Sequence, residues 1–216
     1  MINKKALIKN FKVVNNKYYM LSLLYRGDFV YKPGQYIIII FNDKLRRSYS
    51  IASVKNNEIL ISVKLDKGLG AKALMDFKLN KEVEFIGPIG HFFYRKSSND
   101  PIFIATGIGI TPINSIIEHL ISSNISKLKL FWGVKNSNDL IFNFDYLNDN
   151  FIPILSEEDG SNVKKGYVTD YLSENIDDFK NKDFYICGNP DIVNNIKTYL
   201  QKNFKVEKDY IYTEKF

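Results

Sequence analysis

The 216-residue chain is 45% apolar and carries a formal net charge of +6, which allows one large domain or two ordinary domains with a real core. One cysteine and two histidines are too few for a zinc site, an iron–sulfur cluster or an intrachain disulfide, so any redox chemistry must use an organic group. Because no apolar run approaches the roughly 18 residues of a membrane helix and the amino terminus lacks a secretory signal, we expect a cytoplasmic protein without membrane insertion.

Five β-branched or aromatic runs, separated by glycine, proline and asparagine, predict strands in the first part of the chain. They cover residues 17–25, 35–41, 48–54, 58–65 and 82–93. Their spacing predicts a small antiparallel β-barrel. The polar, turn-rich segment 95–101 then marks a change of pattern, so we predict one domain over residues 1–97 and a second over residues 98–216.

In the second part of the chain, apolar strands alternate with helical segments. The predicted strands are 101–106, 127–134, 151–156, 183–188 and 210–216, and the predicted helices are 111–123, 143–150, 166–175 and 190–204. Thr111 is suited to cap the first of these helices, with Pro112 at its first position and Ile121 on its apolar face. The alternation predicts an α/β domain with a mostly parallel sheet and right-handed crossovers.

Two glycine-containing turns follow strands of this predicted sheet. In "ATGIGITP", Gly107 and Gly109 would let a pyrophosphate approach the backbone, and the helix amides would complete an anion site. The third glycine of a dinucleotide fingerprint is missing, so a turn that uses glycine only for its backbone angles stays an alternative. In "YICGNP", Cys187 and Gly188 end a strand and Pro190 begins a helix, although a lone cysteine is more often a small buried apolar residue.

Six segments in a fixed order resemble those of the ferredoxin-NADP reductase superfamily of flavoproteins, and the resemblance covers nearly the whole chain. They are "YKPGQYIIII", "RRSYSIAS", "VKLDKGLGAKAL", "GPIGHFF", "ATGIGITP" and "YICGNP". The resemblance implies a flavin-binding β-barrel followed by a nicotinamide-nucleotide domain. It also implies the activity: hydride transfer between NAD(P)H and FAD, followed by transfer of single electrons to an acceptor.

The resemblance assigns the family's Arg-x-Tyr-Ser motif to Arg47, Tyr49 and Ser50. Arg47 should contact the flavin phosphates, Tyr49 should pack on the flavin, and Ser50 should reach its N5 region. The second phosphate loop, "KGLGAKAL", lacks the family's usual hydroxyl, so it must rely on backbone amides and Lys72, and FMN stays an alternative to FAD. The predicted flavin-binding residues are Arg47, Ser48, Tyr49, Ser50, Val63, Lys64, Gly68, Gly70, Ala71 and Phe216.

For the nicotinamide nucleotide, the resemblance implies that Ser50, Cys187 and Glu214 shape the contact with the flavin, with the Phe216 ring nearby; a frayed terminus is the alternative. The predicted nucleotide-binding residues are Thr106, Gly107, Gly109, Pro112, Lys135, Ser156, Gly188 and Pro190. Ser156 is followed by Glu157, Glu158 and Asp159, whose charge opposes a 2′-phosphate and favours NADH. Lys135, Lys164 and Lys165 would instead favour NADPH, so both nucleotides stay open.

The single cysteine leaves no ligands for a plant-type [2Fe–2S] cluster in this sequence, so the electron acceptor is expected to be separate. The lysines are spread along the chain instead of forming blocks, which argues against nucleic acid and favours an acidic ferredoxin or flavodoxin as partner. The alternative is a flavin relay subunit of a larger complex, like the electron-transfer subunit of some dihydroorotate dehydrogenases. Those relatives usually carry a cysteine cluster that this sequence lacks.

Overall fold

The computed structural model describes residues 3–65, 67–158 and 163–216. Its contacts divide the chain into two compact units. The first comprises residues 1–94 with 114–119, and the second comprises residues 95–113 with 120–216. The assignment of a flavin domain to residues 1–97 and a nucleotide domain to residues 98–216 stays a prediction.

The first unit is a closed, antiparallel six-stranded barrel, which confirms the predicted barrel. Its elements are β1 (Lys4–Val14), β2 (Tyr18–Tyr25), β3 (Tyr36–Asn42), β4 (Leu45–Lys55), β5 (Glu58–Lys64), helix α1 (Leu69–Met75) and β6 (Glu82–Ile89). The strands follow one another around the barrel in the order β1, β2, β5, β4, β3, β6. Alternate side chains of each strand fill the interior, among them Leu21, Ile37, Tyr49 and Ile61.

Strand β1 is absent from the predicted elements, and its composition explains why. Along its 11 residues only Ala6 and Ile8 are buried, whereas four lysines and one asparagine occupy most of the other positions. The strand therefore lacks the continuous apolar alternation that identifies a half-buried strand. Pairing with β2 and β6 stabilises β1 in spite of this small buried surface, because both of its edges are hydrogen-bonded in the closed barrel.

The second unit is built on an entirely parallel six-stranded sheet, which confirms the predicted α/β architecture. Its elements are β7 (Asp100–Thr106), α2 (Ile110–Ser122), β8 (Lys129–Val134), β9 (Phe151–Leu155), β10 (Lys164–Lys165), α3 (Val168–Asn175), β11 (Lys182–Gly188), α4 (Pro190–Phe204) and β12 (Ile211–Lys215). The strand order is β10, β9, β8, β7, β11, β12, so the carboxyl ends of all six strands lie at one edge. Ligands of open parallel sheets bind at that edge.

Three local predictions in this unit are wrong. Helix α2 begins at Ile110 after a 3₁₀ turn over Gly107–Gly109, so Thr111 lies inside the helix and its hydroxyl donates to the Ile108 carbonyl (2.9 Å) instead of capping. Pro112 is accordingly the third residue of α2, still in the first turn, where proline is tolerated. The predicted helix over 143–150 is a 3₁₀ segment, Asp145–Asn150, broken by the positive φ of Asn148.

The polar segment over residues 95–101 is hydrogen-bonded to strand β11. The Arg95 amide donates to the Tyr185 hydroxyl (2.9 Å), and the buried Asp183 carboxylate accepts hydrogen bonds from Ser97 (2.5 Å) and Asn99 (3.0 Å). Satisfying a buried carboxylate in this way offsets its desolvation. Across the described residues, none of the helices has both the length and the apolar content needed to cross a membrane.

Candidate functional site

The first part of the site lies at one end of the barrel, where β4 meets helix α1. Arg47 and Tyr49 are two residues apart on β4 and therefore share a face, Tyr49 buried and Arg47 exposed. A Cβ added to Gly70 would lie 2.8 Å from the Arg47 Cγ and 2.9 Å from the Tyr49 hydroxyl oxygen. The fold thus brings "RRSYS" and "KGLGAKAL" together, and glycine at position 70 is required for this close approach.

Arg47 can bind an anion without breaking a salt bridge described in the structure. Its guanidinium donates from Nη1 to the carbonyl oxygen of the neighbouring Arg46 (2.8 Å), and with five N–H donors the exposed group keeps others for a phosphate. Among the described side chains none caps helix α1, whose N-cap residue is Gly68. An exposed cation beside a glycine-lined backbone is chemically suited to the pyrophosphate of a dinucleotide such as FAD.

The other predicted flavin-binding residues are spread over both units. Ser48 and Ser50 project from the opposite face of β4, the first exposed and the second half-buried. Val63 and Lys64 end β5, and Ala71 is buried in α1. Phe216 belongs to the second unit, where its amide donates to the Gly188 carbonyl (3.3 Å) and its ring is 52% exposed.

The glycine-rich turn of the second unit packs directly on strand β11. A Cβ added to Gly109 would lie 2.2 Å from the Cys187 carbonyl oxygen, so no larger residue fits there. Gly107 has a φ of +54°, and a Cβ added to it would meet no atom within 4 Å. The backbone at Gly107 is therefore open to an approaching ligand, as a pyrophosphate site at a strand–helix turn requires.

The second turn completes the same sheet edge. Gly188 has a φ of +146°, and an added Cβ would lie 2.0 Å from the Thr106 hydroxyl oxygen. The Asn189 amide donates to that hydroxyl (3.3 Å), and the Asn189 side chain caps α4 by accepting from Asp191 N (3.0 Å) and Ile192 N (3.4 Å). Pro190 is the first residue of α4, as predicted.

Glu214 and Cys187 are cross-strand neighbours on β12 and β11 at this edge. The Glu214 Oε2 atom is buried and has no hydrogen-bond partner among the described residues, and burial raises the pKa of Glu214 to about 7. Burial, and secondarily the charge of Glu214, raises the pKa of the Cys187 thiol well above its ordinary value, so that thiol is neutral and not a nucleophile. A carboxyl held without a partner can donate or accept one hydrogen bond from a ligand.

Charged groups follow strands β8 and β9. The Lys135 ammonium forms an ion pair with Glu157 (2.5 Å), and Glu158 accepts hydrogen bonds from the Ser137 amide (2.7 Å) and hydroxyl (2.9 Å). The Ser156 amide donates to the Val134 carbonyl (2.9 Å). Asp159, which the sequence places next to these carboxylates, lies outside the described residues.

Sequence reasoning missed Trp132. Its indole N–H donates to the Gly107 carbonyl (3.0 Å) in the glycine-rich turn. Two features of the sequence could have indicated it: Trp132 lies in the predicted strand that follows the glycine-rich turn, and it is the only tryptophan in the chain. In the described part of the chain, no group of His, Cys, Asp and Glu is arranged to hold a metal ion.

Comparison with known proteins identifies both halves. The oxidoreductase FAD-binding domain model matches residues 6–94, and the oxidoreductase NAD-binding domain model matches residues 103–198. RfbI of Salmonella typhimurium is 31% identical over 82% of this chain and 57% of its own length, so the chain spans little more than half of that relative. A probable flavin reductase of Aliivibrio fischeri is 26% identical over 94% of this chain and 93% of its own length.

Solved structures share the fold. The FAD/NAD-binding domain of nitric oxide dioxygenase from Vibrio cholerae superposes with a TM-score of 0.88 and 24% identity, covering 99% of this chain and 98% of that domain. A ferredoxin NADP⁺ reductase from Neisseria gonorrhoeae with bound FAD and NADP gives a TM-score of 0.84 and 19% identity, covering 99% and 98%.

A closed barrel with an Arg-x-Tyr-Ser strand, followed by a parallel sheet with a glycine-rich edge, defines an oxidoreductase with an FAD-binding and an NAD-binding domain. The chain belongs to the ferredoxin-NADP reductase superfamily, which confirms the resemblance drawn from its six sequence segments.

Proposed function

We propose that this chain oxidises NAD(P)H through a bound FAD and passes single electrons to a separate acceptor protein, an acidic ferredoxin or flavodoxin. The observation that carries the proposal is the succession, in one chain, of an FAD-binding domain over residues 6–94 and an NAD-binding domain over residues 103–198. FAD, when bound, accepts a hydride and releases its electrons one at a time, which is the chemistry that side chains lack.

On the flavin side, the Arg47 guanidinium would neutralise the cofactor pyrophosphate, and the largely buried Tyr49 ring would pack on the flavin. Gly68, Gly70 and Ala71 keep the backbone beside Arg47 free of bulky side chains. Ser50, half-buried on the other face of β4, supplies a hydroxyl for the flavin N5 region. These roles agree with the exposed guanidinium and with the contact that makes glycine necessary at position 70.

On the nucleotide side, the open backbone at Gly107 receives the pyrophosphate of NAD(P)H. Glu214 and Cys187 lie together at the same sheet edge. There the unpartnered carboxyl binds the nicotinamide end of the nucleotide, and the neutral thiol packs beside it without reacting. Their work would be positioning, because hydride transfer depends on holding the nicotinamide C4 and the flavin N5 close and aligned.

Charge supports an acidic acceptor. Residues 1–94 contain 16 lysines and arginines against 7 acidic residues, whereas residues 95–216 contain 14 against 17. The net charge of +9 is therefore concentrated on the barrel sequence, and the remainder carries −3. Such an excess accelerates encounter with an acidic carrier and makes the rate fall with ionic strength.

Free flavin is a second candidate acceptor. The observation in its favour is that the chain covers 93% of a relative described as a probable flavin reductase. A free flavin is small and needs no docking surface, so its reduction should respond much less to salt than reduction of an acidic protein.

The acceptor is tested by reducing the purified holoprotein anaerobically with NADH or NADPH and mixing it with ferredoxin, flavodoxin or FMN. We expect electron transfer to a protein carrier that slows markedly when the salt concentration rises. Turnover with FMN alone would instead support the flavin reductase, and reduction that requires a partner subunit would support a relay.

The flavin assignments are tested separately by Arg47→Ala and Tyr49→Ala, with Arg46→Ala as the matched control for loss of an exposed cation. We expect the first two variants to be purified with less flavin than the native chain and the control to retain it. Full retention in both variants would remove Arg47 and Tyr49 from the site.

A further inference from the structure

We propose that Trp132 is a positioning residue that fixes the glycine-rich loop in the form that binds a pyrophosphate. The proposal rests on the nucleotide-binding role proposed above for this loop. It is carried by the hydrogen bond from the Trp132 indole to the Gly107 carbonyl (3.0 Å).

Strand pairing and burial fix the Trp132 side chain in the position from which it makes this bond. Trp132 lies opposite Ala105 in the pairing of β8 with β7, two residues before the turn begins at Gly107, and its side chain is completely buried. The ring packs edge-to-face on Phe144 with centroids 5.9 Å apart and an interplanar angle of 88°. A buried indole N–H can only donate, so losing the Gly107 carbonyl would leave it unsatisfied away from water.

The bond helps to fix which way the next amide points, together with the Ile110 amide, which also donates to the Gly107 carbonyl across the 3₁₀ turn. The peptide between Gly107 and Ile108 is trans, and in a planar trans peptide the C=O and N–H groups point in opposite directions. Holding the Gly107 carbonyl toward Trp132 therefore turns the Ile108 amide away from it. That amide becomes a donor on the side of the loop opposite the indole.

The rest of the loop explains why an anchor is needed. Glycine has more backbone freedom than any other residue, and Gly107 adopts a φ of +54° with no side chain to hold it. The backbone at Gly109 packs closely against β11. Gly107 has no such neighbour, because a Cβ added to it would meet no atom within 4 Å. A ligand that binds a pre-ordered loop avoids the free-energy cost of ordering it, so the Trp132 bond should increase nucleotide affinity.

Two replacements separate this bond from ordinary core packing. Trp132→Phe removes the indole N–H and keeps an aromatic ring, whereas Phe144→Leu disturbs the same packing without touching the loop. Because Trp132 is the only tryptophan, growth on a tryptophan analogue also changes this position alone. Benzothienylalanine has the shape of tryptophan with sulfur in place of the N–H, and it tests the bond without altering the core.

Binding is measured on the holoprotein by calorimetry with ADP, which carries a pyrophosphate but no nicotinamide. We expect Trp132→Phe and the benzothienylalanine protein to bind ADP about tenfold more weakly than the native chain, and Phe144→Leu to bind it within about twofold. With NADH, Trp132→Phe should raise KM by a similar factor and leave kcat within about twofold, because the loop holds the substrate and does not act on it.

Native affinity in the benzothienylalanine protein, or an equal loss of affinity in Phe144→Leu, would overturn the proposal while leaving the proposed oxidoreductase function intact. A native holoprotein that binds no ADP and no NADH would overturn both. The native chain offers a second readout, since ADP bound at the loop should change Trp132 fluorescence. An unchanged signal at ADP concentrations that saturate the calorimetric titration would also contradict the proposal.

Discussion

Replacing the buried carboxyl of Glu214 with an amide should make the second unit more stable above pH 7 and leave its stability nearly unchanged at pH 4. In the folded chain, burial raises the pKa of Glu214 to about 7, whereas in the unfolded chain the carboxyl ionises near 4.5. The folded form therefore loses stability as the pH rises from about 4.5 to about 7. The difference corresponds to at most about 3 kcal/mol, which Glu214→Gln should recover because it stays neutral.

The assay is urea unfolding of the native chain and Glu214→Gln at pH 4, 5, 6, 7 and 8. Trp132 fluorescence follows the transition, because this tryptophan and Glu214 belong to the same unit. Glu174→Gln, an exposed position at the end of α3, is the matched control and should show no such trend. A stability difference between Glu214→Gln and the native chain that is the same at every pH would refute the reasoning.

Other substitutions give further tests of the structure. Tyr19→Phe should stabilise the barrel by roughly 1 kcal/mol in urea unfolding, because the Tyr19 hydroxyl is buried without a partner; a loss of stability would mean that the hydroxyl is bonded. Gly109→Ala should destabilise the second unit by about 2 kcal/mol or more and abolish ADP binding, since its Cβ would overlap a carbonyl oxygen of β11. Glu157→Gln should free the Lys135 ammonium from its ion pair, so that adenosine 2′,5′-bisphosphate binds several-fold more tightly in calorimetry. The affinity of this variant for AMP should not change, and the control Glu174→Gln should bind both nucleotides as the native chain does.

The fold was predictable wherever burial and sequence pattern agree. The strands of the parallel sheet are short apolar runs bounded by turns, and β7 and β11 were predicted to within one residue of their ends. Helix α4 was predicted in full, because Pro190 begins it and its apolar residues recur at helical spacing. Strand β1 was not predicted because it buries only two side chains, and one of its two pairing partners, β6, is distant in sequence.

The site was predictable as a set of segments but not as a set of contacts. "RRSYS" and "KGLGAKAL" are separated by 16 residues, and only the fold shows that a Cβ at position 70 would meet both Arg47 and Tyr49. The ion pair of Lys135 with Glu157 depends on the adjacency of β8 and β9, which no local pattern encodes. The sequence pattern around Trp132 indicates only a core residue. Its hydrogen bond to Gly107 depends on the direction of the side chain, which the sequence pattern does not give.

We propose that one half of this chain holds FAD and that the other half supplies it with a nicotinamide nucleotide. The most direct measurement is to purify the protein, identify and count the flavin released by heat, and titrate the holoprotein anaerobically with NADH and with NADPH. We expect about one FAD per chain and bleaching of its visible absorbance by a stoichiometric amount of at least one nucleotide. A natively folded protein that remains colourless when supplied with FAD or FMN would contradict it.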